Sequence, residues 1–220
     1  SPHVYALPFE HRFLIDLGGI VDFYNSYSTT WSPYLADQKI RNLEKYLIDL
    51  AGESNTKRLL TYFSKVLNLT KPEYSGWELE EWFPNYSRHV NNLINSVQEF
   101  SYSAIWPASP SFQSKDKTKM IYASPMPKKE LAEILKDFIN NLYSDLLNKN
   151  KKKIFVEDNT WNMLFAKELH DIAPQTKFIH LVRDPRDVIA SMRKQKWCPK
   201  ELEQAIKYYK DLMDKNLENM

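Results

Sequence analysis

Apolar residues recur at three- and four-residue intervals along much of the chain. Ile40, Leu43, Leu47 and Leu50 form one such series, and Leu59, Leu60, Phe63, Val66 and Leu67 form a second that Asn55 and Thr56 could cap. Val90, Leu93, Ile94 and Val97 make a third. A fourth, Leu131, Ile134, Leu135, Phe138, Leu142 and Leu146, follows Pro127, a residue type favoured in the first helical turn. This is the period of helices with one buried face, so residues 20–150 are expected to be mostly helical. Residues 101–127 interrupt the pattern with a Ser- and Pro-rich stretch of no clear period, which reads as a long loop, either a lid or plain surface.

The two ends follow a different pattern. Residues 3–15, HVYALPFEHRFLI, have the β-branched and aromatic content of a short strand and its exit loop, with Pro8 as the breaker before a Gly18-Gly19 turn. From residue 151 the chain reads as strand (154–157), helix (161–171), strand (178–182) and helix from Pro185. A βαβα unit at this spacing demands a parallel pair with a right-handed crossover, which makes the class α/β. The expected organisation is a single domain over 1–220, with a helical insertion at 20–150 and a βαβα unit at 151–197.

Composition narrows the function classes. The 220 residues are 43% hydrophobic and 26% charged, which excludes disordered and collagen-like chains. A net charge of +2 gives no field for general nucleic-acid or membrane binding. The one cysteine, Cys198, cannot form an internal disulfide or a Cys-rich zinc site, and the histidines lack metal-ligand spacing, so no metal is expected. No apolar run approaches a membrane span of about 18 to 20 residues, and a reducing, cytoplasmic location is the expectation. With only four glycines, the chain contains no glycine-rich phosphate loop.

Lys177 to Trp197, KFIHLVRDPRDVIASMRKQKW, carries the densest chemistry. Arg183 falls at the carboxyl end of the expected strand, where ligands bind in open α/β sheets. Asp184 is placed to cap the next helix, Pro185 suits its first position and Asp187 its first turn. Ser191 lies two turns along, on the face shared with the cap. Arg183 and Ser191 can converge on one anion, or Arg183 can simply pair with a neighbouring carboxylate. His180, alternating with Ile179 and Leu181, reads as a core histidine.

This segment closely resembles the 3'-phosphate-binding segment of sulfotransferases that use 3'-phosphoadenosine 5'-phosphosulfate (PAPS). In that family a strand ends in Arg, an R-D-P-R-D-like turn follows, and a Ser lies eight positions after the Arg, the interval of Arg183 and Ser191. The resemblance extends through FVEDNTWNMLFAKELHDIAPQTKFIHLV upstream and KQKWCPKELEQA downstream. It implies a fold related to the P-loop kinases, a parallel sheet with flanking helices, and transfer of a sulfuryl group from PAPS to a hydroxyl or amine, leaving 3'-phosphoadenosine 5'-phosphate (PAP), without a metal. Arg183 and Ser191 would then hold the 3'-phosphate, and Trp197 could stack on adenine or shape the acceptor pocket. Glu10 and Arg12 resemble the Glu-x-Arg of tyrosylprotein sulfotransferases, which implies Glu10 as general base and Arg12 as a group orienting acceptor or base.

The chain departs from the family in two places. The strand and loop that hold the 5'-phosphosulfate would lie immediately before Ser1, and the usual C-terminal segment is not recognisable before Met220. The expectation is therefore an internal portion of a longer enzyme, with little catalysis of its own. Glu157 and Asp158 stand where many relatives carry a lysine near the sulfuryl group. The acceptor, whether small molecule, carbohydrate or peptide, and the oligomeric state are open. The rival readings are a small-molecule or nucleotide kinase of related fold and a non-catalytic PAP-binding remnant.

Overall fold

A computed structural model of the chain describes residues 2–52, 77–104 and 119–219. The chain folds as two compact units, Ser1–Asn159 and Thr160–Met220, and the boundary falls inside the expected 151–197 segment.

In the first unit, strand β1 (Val4–Tyr5) leads through a loop to helices α1 (Ile20–Tyr27) and α2 (Pro33–Ala51). The Ser32 hydroxyl accepts the Leu35 amide at 3.1 Å and Pro33 opens the first turn of α2. These are the signals that start a helix. The apolar series behind them, Ile40, Leu43, Leu47 and Leu50, is buried to within 1% of completeness. Each such side chain stabilises the unit by about 1.5 to 3 kcal/mol relative to exposure. Among the described residues, helices α3 (Leu79–Trp82), α4 (Tyr86–Val97) and α5 (Lys128–Asn150) follow, with α4 packed on both α2 and α5. Pro127 is the N-cap residue of α5, one position before the helix proper. The expected helix over 59–67 lies outside the described residues.

Two expectations need correction. The stretch 101–127 is not loop at its ends. Strands β2 (Phe100–Ser103) and β3 (Lys119–Tyr122) pair antiparallel, Phe100 opposite Tyr122 and Ser103 opposite Lys119. Buried Asp37 secures this pair to α2, its Oδ1 accepting from both the Ile121 amide and Arg41 Nε at 2.8 Å. Strands of four residues, FSYS and KMIY, are too short for a period-2 pattern to stand out from the Ser- and Pro-rich stretch around them.

The second correction concerns the parallel pair. Strand β4 (Ile154–Phe155) pairs in parallel with β1, Val4 with Ile154 and Tyr5 with Phe155. The segment 178–182, expected to be a strand, carries neither helix nor strand, and Ile179, Leu181 and Val182 are exposed. A strand forms only where a neighbour takes its backbone donors and acceptors. The second unit, built of a 3-10 turn (Asn162–Phe165) and helices α6 (Ala166–Ile172), α7 (Pro185–Met192) and α8 (Leu202–Glu218), contains no such neighbour. Helices combined with a small parallel sheet keep the class α/β. No described helix is long and apolar enough to cross a membrane.

Candidate functional site

The start of α7 is built as its sequence implies. Asp184 Oδ1 accepts the Arg186 amide at 2.9 Å, Pro185 occupies the first turn and Asp187 follows within it. The Arg186 guanidinium folds back on the same carboxylate at 3.0 and 2.7 Å. Those bonds, side chain first and then backbone, hold the Asp184 carboxyl below the usual carboxylate range. Arg186 is thus occupied. Arg183 is only loosely engaged, 3.5 Å from Asp187 with its side chain 72% exposed, a pairing that contributes little in water.

Arg183 and Ser191 line one cavity of about 470 Å³ in the second unit. Trp161 and Trp197 line it too, packed edge to face with ring centroids 5.5 Å apart. Helix α8 supplies Tyr209, Met213 and Asn216 to the lining. The volume lies within the range of small-ligand sites. Arg183 is the one permanently charged side chain in the lining, and no carboxylate joins it, so the cavity favours an anion. The three expected donor-binding residues, Arg183, Ser191 and Trp197, are therefore together.

Sequence reasoning missed two contributors. His180, read as a core histidine, is half-buried on the cavity wall, because the strand that would have enclosed it does not form. The α8 residues were missed as well, although Leu202, Ala205, Tyr209, Leu212 and Met213 carry a readable helical period.

In the first unit, Glu10 is half-buried in the loop after β1. Arg12 is held in the left-handed region at φ 51° and donates from Nε to Asp16 at 2.9 Å. Its guanidinium is thus engaged within its own loop. Between them His11 turns inward and is fully buried, stacked on Phe13 with centroids 4.4 Å apart. Its Nε2 lies 3.1 Å from the Tyr143 hydroxyl and 3.4 Å from Glu157 Oε1. Burial pushes the imidazole down to about 3. Tyr143 rises well above its ordinary value, first through burial and then through the Glu157 charge. Glu157 thus faces this aromatic core. Among the described residues no group of three or more His, Cys, Asp or Glu side chains is placed to hold a metal ion.

No curated protein and no solved structure matches the chain. A family model does match, over residues 71–219, a span that contains Glu157, Arg183, Ser191 and Trp197 but not Glu10 or Arg12. That span covers more than half of the chain and includes the whole anion-favouring cavity, and with it the chain belongs to the sulfotransferase family.

Proposed function

We propose that this sulfotransferase takes its sulfuryl group from PAPS and delivers it to a hydroxyl or amine. The observation that carries the reading is the shared cavity, in which Arg183, Ser191 and Trp197 line one wall system without a carboxylate. A guanidinium fork matches a phosphate with two charge-assisted bonds, and a serine hydroxyl adds a third donor. An indole offers a face to adenine. These residue types fit a nucleotide bearing a 3'-phosphate.

The bound donor supplies an activated sulfuryl group, whose S–O bond to the 5'-phosphate breaks as the acceptor oxygen bonds to sulfur. Arg183 and Ser191 anchor the end of the nucleotide remote from that bond. Glu10 takes the acceptor's proton on its carboxylate, a task that requires a base within hydrogen-bond reach. Arg12, held by Asp16, orients the acceptor or the base only by exchanging that partner. The fold is proposed to be that of the P-loop kinases, with the 20–150 region shaping the acceptor pocket for a sugar, peptide or small alcohol.

Calorimetric titration of PAP into the chain tests the donor reading. Micromolar binding is expected, lost with Arg183→Ala and weak for adenosine 5'-phosphate. Equal affinity for the two nucleotides, or binding indifferent to Arg183→Ala, overturns it.

A further inference from the structure

His180 lines the same cavity as Arg183 and Ser191, and the chemistry above gives it no task. Its side chain is half-buried, so it is reachable from the cavity. The residues that share the cavity with it are informative by charge. Its own segment contributes Arg183, α7 contributes Val188, Ser191 and Met192, and the 3-10 turn region contributes Thr160, Trp161 and Leu164. From α8 come Tyr209, Leu212, Met213 and Asn216. No carboxylate lines the cavity, and Asp187 on α7 pairs with Arg183.

We propose that His180 is a further binding residue for the anionic nucleotide, taking up a proton as the phosphate enters and donating a charge-assisted hydrogen bond to it. The inference rests on the PAPS reading of this cavity. Imidazoles titrate near neutral pH, and an adjacent dianion favours the charged form. Binding is then coupled to protonation. Affinity strengthens as pH falls through the neutral range, although the phosphate's own second ionisation near pH 6 opposes this. That opposing effect belongs to the ligand and cancels when wild type is compared with a variant.

The test is PAP titration calorimetry between pH 6.5 and 8.5 for the whole chain, its His180→Gln and its His180→Lys variants. Repeating pH 7 in two buffers of different ionisation enthalpy counts the protons taken up. Wild type is expected to bind about tenfold more tightly than His180→Gln at pH 6.5, with the ratio shrinking towards about twofold at pH 8.5. Net proton uptake is expected in wild type and not in His180→Gln. His180→Lys, which carries a fixed charge, is expected to recover affinity at pH 8.5 without the proton uptake. A ratio constant across pH, or equal uptake in wild type and His180→Gln, overturns the proposal while the donor reading stands on its Arg183→Ala control. If PAP does not bind wild type at all, both fall together.

Discussion

His11 gives the protein a specific acid weakness. Its unfolded value is 6.5 and burial takes the folded value to about 3, so below pH 6.5 the unfolded chain binds a proton that the folded chain refuses. The stability contributed by neutral His11 is fully present above the unfolded value and is lost progressively between pH 6.5 and about 3. Integrating from pH 7 to pH 4.5 gives a loss of roughly 2 to 3 kcal/mol from this one group. The Glu157 carboxylate, 3.4 Å away, favours a charged imidazole and makes that figure an upper value. The perturbation is His11→Phe, whose ring can keep the stack on Phe13 and Phe155. The variant leaves the Tyr143 hydroxyl without its imidazole and costs about 1 to 3 kcal/mol at every pH, so the slope and not the absolute stability is diagnostic. Urea unfolding at pH 7 and pH 4.5, followed by tryptophan fluorescence and circular dichroism together, reads that slope. Wild type should lose up to roughly 2 to 3 kcal/mol more than His11→Phe between the two conditions. Asp145, held below its ordinary value by hydrogen bonds from Asn85 and His89, is unchanged in both proteins and cancels. Equal losses in the two proteins would refute the reasoning.

Other expectations follow from single contacts. Asp187→Asn removes the loose partner of Arg183 and a negative charge beside the phosphate site, so PAP should bind about two- to fivefold more tightly, more so at low salt, as titration at two ionic strengths would show. Glu10→Gln should leave PAP affinity unchanged while slowing whatever sulfuryl transfer the unsubstituted protein performs by about 100-fold, measured by product formation under saturating donor. Gly19→Ala would bring a Cβ to 2.5 Å from the Phe13 carbonyl and 2.9 Å from that of Asp16, and a loss of about 2 kcal/mol or more is expected in urea unfolding. Ser32→Ala removes the cap of α2 and should cost about 1 kcal/mol by the same measurement.

Local grammar determined much of this molecule in the sequence alone. Ser32-Pro33, Asp184-Pro185 and the apolar spacing of α2, α4 and α5 each act within a few residues, and each built the element it implies. That Arg183 and Ser191 line one cavity was legible for the same reason, since a capped turn fixes where the following helix points, whereas Trp197 beyond that helix was offered only by the resemblance. Tertiary structure decided the rest. Pairing of Val4 with Ile154 joins backbone groups 150 positions apart, and no local period can specify a partner at that separation. The segment 178–182 shows the converse, for an apolar alternation becomes a strand only when a neighbouring strand accepts its hydrogen bonds. His180 consequently lines a cavity and is not enclosed in a core. His11 and Glu157 took their roles in the same way. Nothing in its sequence neighbourhood singled out His11, and Glu157 read only as a carboxylate where the resemblance led one to expect a lysine; packing against Phe13, Phe155 and Tyr143 made the first a neutral buried ring and turned the second towards it.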